Sequence, residues 1–194
     1  PLEQQKIQSD SKRRIGVGFT GLGDTLTMLK LRYNSSEGLA MAVKIASMMR
    51  DTAYLASIEL AKEKGPFPML EVEKFLATGT YASRLPENIK ALIRKHGIRN
   101  SHLLSIAPVG TISLAFADNA SNGIEPAFSW TYNRKKREAD GSTRTYVVED
   151  HAYRVYRSLG GDVGNLPDYF VSAMEMPASD HIDMMRVVQP FIDT

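Results

Sequence analysis

A short apolar run, Leu103–Ile106, meets Pro108 and passes straight into Gly110-Thr111-Ile112-Ser113. Proline cannot donate to a central ladder, so the run reads as a buried strand closed by a turn. The next four residues bring one flexible glycine, two hydroxyls and several free backbone N–H groups, just before Leu114–Ala117 can start a helix. First-turn amides of a helix have no internal partner and sit at the positive end of its dipole. A phosphate can therefore accept from Gly110, Thr111, Ile112 and Ser113 together. The same letters also fit a strand, a proline turn and a Ser/Thr-capped helix that holds no ligand.

The elements around this turn suit an α/β domain in which helix outweighs strand. Glu3–Ser11 is polar and expected to fray. Asp24–Leu31 reads as a short helix. The longest helix follows over Asn34–Lys64, with Asn34 and Glu37 as a capping box and Gly65-Pro66 as its stop. Leu39, Val43, Ala46, Met49, Ala53, Ala56 and Leu60 recur at helical spacing, which predicts them on its inner face. Leu70–Leu76 and Pro86–His96 are further helices, the second carrying Ile89, Leu92 and Ile93 on one side and ending at Gly97. Beyond the turn, Ala117–Gly123 should loop. Phe128–Lys136 and Thr143–Val148 should pair as a hairpin about Asp140-Gly141, and Asp150–Leu159 should be helical. Asp180 would cap a last helix that turns Ile182, Met185, Val188, Phe191 and Ile192 inward.

Other motifs compete for a function. Gly16, Gly18 and Gly21 spell G-x-G-x-x-G, the signature of a dinucleotide-binding turn, and a dehydrogenase reading would rest on them. That reading needs an apolar strand before Gly16, where Lys12-Arg13-Arg14 stands instead, so close packing is the better account. Arg134-Lys135-Lys136-Arg137 looks like a nucleic-acid patch, but beside Glu138 and Asp140 it reads as a solvated hairpin tip. His151, His181 and Asp183 lack a third ligand at a convincing spacing, so no metal is expected, and neither histidine is set up for a triad. Glu125 is the one loop carboxylate with a functional claim, against the plainer role of an exposed acid. A net charge of +2 argues against a general nucleic-acid or membrane surface. No apolar run approaches the ~20 residues that span a bilayer, and the start lacks an export signal, so a cytoplasmic setting is expected.

Ala107–Ser113, followed by Gly123-Ile124-Glu125-Pro126 and an aromatic strand, resembles the substrate-phosphate loop of the ribonucleotide reductase large chain, in the form of the adenosylcobalamin-dependent class II branch. The likeness runs from Arg14-Ile15-Gly16-Val17-Gly18-Phe19-Thr20-Gly21-Leu22 to Gln189–Thr194. It implies a fragment of the family's ten-stranded α/β barrel, with residues 1–194 as one segment of the catalytic barrel domain, truncated at both ends. It also implies that Ala107, Pro108, Val109, Gly110, Thr111, Ile112 and Ser113 bind the phosphates of a ribonucleotide substrate. Val109 stands where the family usually carries threonine, so one hydroxyl is missing while the backbone amides remain. The parent would be a ribonucleoside-diphosphate reductase using adenosylcobalamin, partnered by the rest of its own chain and by a second copy in a homodimer.

The chain contains no cysteine. Taken alone, that excludes disulfides, thiolate catalysis and cysteine-ligated metals. Beside the family it implies more, because these reductases remove the 2′-hydroxyl with a thiyl radical and a reducing cysteine pair. The resemblance therefore places the cysteine-bearing finger loop before Pro1 and the remaining strands and thiols after Thr194, and assigns no catalytic residue to this chain.

Overall fold

Side-chain spacing and turn residues set most of the helices. A computed structural model, which describes residues 2–194, places α1 at Glu3–Lys12, α2 at Leu22–Met28, α3 at Ser36–Lys64, α4 at Val72–Phe75 and α5 at Glu87–His96. Then follow α6 at Gly110–Phe116, β1 at Thr131–Arg137, β2 at Thr143–Glu149, α7 at His151–Ser158 and α8 at Ala178–Val188, which runs into a 3-10 turn at Gln189–Phe191. Helix outweighs strand, as the helix-rich α/β reading expects. The regular sheet among the described residues is the antiparallel pair β1–β2, with Thr131 opposite Glu149 and Arg137 opposite Thr143. The fold divides into two units, one of residues 2–18, Lys44–Ser105 and Gln189–Thr194, the other of Phe19–Val43 and Ile106–Val188.

In the first unit, Tyr54, Ile58, Ile89, Ile93, Ile98 and Leu104 form the dry core. Leu103 and Leu104 are buried as expected, but the strand there shrinks to a single parallel bridge between Leu104 and Val17. Ile15 N–H donates to His102 O at 3.1 Å, Val17 N–H to Leu103 O at 2.7 Å, and Ser105 N–H returns to Val17 O at 3.0 Å. The glycine motif serves this approach. A Cβ at Gly16 would stand 2.6 Å from Ser105 Oγ, and one at Gly18 would stand 2.4 Å from the Ser105 carbonyl oxygen. Asp193 closes the unit by accepting from the amides of Leu103 (2.9 Å) and Leu104 (2.8 Å) and from the Tyr54 hydroxyl (2.7 Å). Burial, then the Asp193 charge, pushes the Tyr54 phenol well above its ordinary range. Buried Ser57 and Asn100 satisfy each other, and Asn100 also donates to Arg13 O.

The second unit packs Leu26, Tyr33, Ile124, Ala152, Phe170, Met184 and Val188. Phe170 meets Trp130 and Tyr156, each with ring centroids 4.9 Å apart. The hairpin turns at Gly141 with φ +83°, and Ser142 N–H donates to Asp140 Oδ1 at 2.9 Å. Arg134-Lys135-Lys136-Arg137 lies along exposed β1.

Several local expectations shift. The polar N-terminal stretch is helical rather than frayed, although α1 buries none of its side chains. Ser35, not Asn34, caps α3, its hydroxyl oxygen accepting from Gly38 N–H at 3.0 Å, while Glu37 accepts from Ser36. The buried positions of α3 are Gly38, Ala42, Ala46, Tyr54, Ser57, Ile58 and Ala61, a stripe that keeps Ala46 from the expected one but is otherwise displaced, and Ala56 and Leu60 are exposed. A Cβ at Gly38 would sit 2.3 Å from Arg32 O, so small residues mark the close side of this helix. In α8 the buried residues are Met184 and Val188, the second as expected, and Ile192 beyond the helix is buried as expected too, whereas Ile182 is 61% and Met185 54% exposed.

That correction is measurable. Met184→Ala should cost about 2–5 kcal/mol in chemical denaturation, because it empties a closed site. Ile182→Ala should stay within about 0.5 kcal/mol. The reverse order would restore the spacing-based stripe.

Candidate functional site

The turn at Ala107–Ser113 is built by a residue in an unusual backbone state. Val109 precedes α6 with φ 36° and ψ 26°, left-handed for a β-branched side chain. Such strain is of order 1–3 kcal/mol and persists only where the surroundings hold it. The helix starts at Gly110, four residues before the Leu114 start expected from sequence, and its first bond runs from Ser113 N–H to Val109 O at 2.8 Å. The amides of Gly110, Thr111 and Ile112 therefore precede any intrahelical acceptor. Thr111 and Ile112 are exposed, and Gly110 lines a cavity of about 410 Å3 that also takes in Asn122, Glu125, Phe128, Tyr132 and Asp150.

Ser113 stands apart from its neighbours. It is 1% exposed, its amide is spent on Val109, and its hydroxyl donates to the Ala120 carbonyl. Its role is to brace the turn rather than to offer donors at the surface. Pro108 has no N–H, and the Ala107 carbonyl lies against Gly123, where a Cβ would come within 2.6 Å of it. Glu125 is exposed at the cavity wall, while the preceding residue is fixed by the Tyr33 hydroxyl, which donates to Ile124 O at 2.7 Å. His151 Nδ1 lies 2.9 Å from Asp118 Oδ2 at the surface, and Arg154 also pairs with Asp118.

Two buried acids beside the cavity escaped the sequence reading. Asp24, in the first turn of α2, is 1% exposed, and Asp150, the cap of α7, is 3% exposed. Asp24 Oδ1 accepts from Ser121 N–H at 2.8 Å and Oδ2 from Ala152 N–H at 3.1 Å. Ser121 Oγ in turn accepts the Asp24 amide at 3.2 Å. Burial, then the neighbouring Asp24 charge, pushes the Asp150 carboxyl up to about 8, and Asp150 hydrogen-bonds Asp24. Asp150 also accepts from Tyr153 N–H at 3.3 Å, and at neutral pH the buried pair retains one proton between its two carboxyls. The available signals were modest: an acid set between Gly23 and the apolar Leu26, and an Asp at a helix start.

Comparison with known proteins follows the same direction. Residues 1–194 match the model of the ribonucleotide reductase barrel-domain family. The chain is 36% identical over 212 residues to a vitamin B12-dependent ribonucleoside-diphosphate reductase of Thermoplasma acidophilum, covering 100% of this chain and 25% of the relative. It is 32% identical over 223 residues to the ribonucleoside-diphosphate reductase large chain of Encephalitozoon cuniculi, covering 100% of this chain and 28% of that one. A vitamin B12-dependent ribonucleoside-diphosphate reductase of Mycobacterium tuberculosis is 33% identical over 134 residues, 69% of this chain and 17% of its own. The chain thus spans 25–28% of the length of the first two relatives. No helix among the described residues is long and apolar enough to cross a membrane.

The Asp24–Asp150 pair makes stability depend on pH. The folded chain keeps on Asp150 a proton that the unfolded chain, with an ordinary carboxyl near 3.8, gives up first. The contribution is complete below the unfolded value and is lost as pH rises through about 8, with a slope of at most ~1.4 kcal/mol per pH unit. Asp150→Asn keeps a donor toward Asp24 and removes the titration. Thermal melts from pH 5 to 9 should therefore show the wild type losing ground to Asp150→Asn as pH rises. Parallel curves would contradict the shared proton.

Proposed function

The chain belongs to the ribonucleotide reductase barrel-domain family, and from that we propose that it is part of a vitamin B12-dependent ribonucleoside-diphosphate reductase whose substrate phosphates are held by the Ala107–Ser113 turn. The observation that carries the site is the row of unspent amides on Gly110, Thr111 and Ile112, presented by a strained Val109. Backbone N–H groups at a positive dipole end suit a doubly charged phosphate, and the Thr111 hydroxyl adds a further donor at the surface. Ser113 completes the turn by holding it to Ala120. Residues 1–194 are, in this reading, one segment of the catalytic barrel domain, with the rest of the reductase chain as obligatory partner and a second copy in a homodimer.

The reaction replaces the ribose 2′-hydroxyl by hydrogen and releases water while two thiols are oxidised to a disulfide. None of those sulfurs is in this chain, which has no cysteine. Its share is orientation: phosphates fixed at the turn let the ribose meet a radical carried elsewhere in one pose, and binding energy far from the reacting carbon is used for positioning. Adenosylcobalamin would supply the initiating radical. No step on this chain is routed through that cofactor.

The Encephalitozoon relative, whose name carries no vitamin B12 dependence, keeps a second reading in play, the same turn in a reductase of another radical class. Dependence of the full-length enzyme on added adenosylcobalamin separates the two.

Two results are expected. The 194-residue chain alone forms no deoxyribonucleotide, even with adenosylcobalamin and a dithiol, and measured product would sink the assignment of the sulfurs to the rest of the protein. In the full-length enzyme, Gly110→Pro deletes one amide at the first helical position and should raise the substrate KM strongly, because the lost bond is charge-assisted. Thr111→Ala should cost less, about 1–2 kcal/mol, and Val109→Thr should be neutral or mildly tightening. An unchanged KM in Gly110→Pro with the protein folded would place the phosphates elsewhere.

A further inference from the structure

The cavity beside the turn joins Gly110 to a polar assembly that the phosphate reading does not use. Asn122 and Ser121 lie on its wall next to buried Asp150. Nothing in the loop Ala117–Gly123 is regular structure, yet its placement is over-determined. Asp24 accepts the Ser121 amide at 2.8 Å and gives its own amide to Ser121 Oγ at 3.2 Å, a reciprocal clasp across 97 residues of sequence. Gly21 N–H donates to Asn122 O at 2.7 Å beside it. The other carboxylate oxygen of Asp24 ties the clasp to the start of α7 through Ala152 N–H.

The clasped loop is what both ends of the turn lean on. Ala120, next to Ser121, takes the Ser113 hydroxyl, and Gly123 lies against the Ala107 carbonyl with no room for a Cβ. Asn119 N–H also reaches Ser113 O at 3.0 Å. A shift of the loop by a few tenths of an ångström would therefore move the first and last residues of the turn together, since packed contacts of this kind do not deform freely. An uncompensated break at Asp24 would leave two buried amides without acceptors, which a closed interior tolerates badly.

We propose that Asp24 is a positioning residue for the phosphate turn, holding the Ser121 amide so that the Ala120–Gly123 loop fixes where Ala107 and Ser113 sit. The inference rests on the reading of Ala107–Ser113 as the phosphate site. Asp24 touches no substrate and acts only through the loop. A proton held between Asp24 and the adjacent Asp150 carboxyl keeps the pair free of mutual repulsion.

The test is steady-state reduction of a ribonucleoside diphosphate by the full-length enzyme with adenosylcobalamin and a dithiol. Inorganic pyrophosphate serves as competitive inhibitor. Asp24→Asn keeps the shape but turns one acceptor into a donor facing the Ala152 or Ser121 amide. It should raise KM about tenfold and the pyrophosphate inhibition constant in parallel, with kcat within about threefold. A residue that merely stabilises the fold would lower the melting temperature and the active fraction, and so kcat, with KM untouched. That pattern overturns the proposal. If Asp24→Asn does not fold, Ser121→Ala decides, because it removes only the hydroxyl that accepts the Asp24 amide. It should raise KM about threefold, and an unchanged KM overturns the proposal. Gly110→Pro separates the two levels: a raised KM there with none in Asp24→Asn overturns the positioning role alone, and an unchanged KM there overturns the phosphate reading and this inference with it.

Discussion

The carboxylate of Asp24 is the interaction on which the second unit depends. Taking an acid out of water is expensive, and it is tolerated here because partners are in place: two backbone amides, from Ser121 and Ala152, and the neighbouring Asp150 carboxyl, with which it shares a proton. One amide lies in the loop before the hairpin, which has no regular structure of its own, and the other in the first turn of α7, ahead of any intrahelical acceptor. A single side chain thus sets the relation of α2, the loop and α7. The first unit uses the same device. Asp193 accepts the amides of Leu103 and Leu104 and the Tyr54 hydroxyl, and so anchors the chain just before it enters the turn.

On the proposed reading of the turn, this arrangement would let an irregular stretch present a reproducible anion site. Backbone amides are good phosphate donors only if they stay where the phosphate needs them, and a helix of seven residues has little stiffness to contribute by itself. Val109 in the left-handed region makes the requirement sharper, because a strained residue relaxes unless its neighbours prevent it. The Ser113 hydroxyl on Ala120 and the contact of Gly123 with Ala107 provide that restraint. Specific chemistry then needs few side chains of its own, which is why the turn reads so plainly in Gly110-Thr111-Ile112 and so little in charged residues.

What the sequence revealed follows the range of the forces involved. The hairpin was legible because Asp140-Gly141 and the alternating flanks act within a few residues, and α5 because Pro86 and Gly97 punctuate it. The family likeness in Ala107–Ser113 and Gly123–Pro126 was legible for the same reason. The inner face of α3 was only partly legible because leucine and methionine dominate a hydrophobic pattern, while Gly38 and Ala42, buried beside the expected Ala46, carry little apolar weight; in α8 the expected Val188 is buried but Met184 takes the place of Ile182 and Met185. Leu103–Ile106 shortened to one bridge because a strand is defined by its partner, and among the described residues it is Val17 that bridges to it. The Asp24 clasp lay beyond local reading altogether, since its partners are 97 and 128 residues away. The glycine motif at Gly16–Gly21 was read correctly as packing, for its first two glycines leave room for Ser105.

The central claim is that three backbone amides at the start of α6 receive the substrate's phosphates. A crystal structure of the full-length enzyme with a ribonucleoside diphosphate tests it most directly. Phosphate oxygens are expected within hydrogen-bond distance, about 2.7–3.2 Å, of the Gly110, Thr111 and Ile112 nitrogens. Phosphates seated on the Arg134–Arg137 strand, or anywhere that leaves those amides facing water, would contradict it.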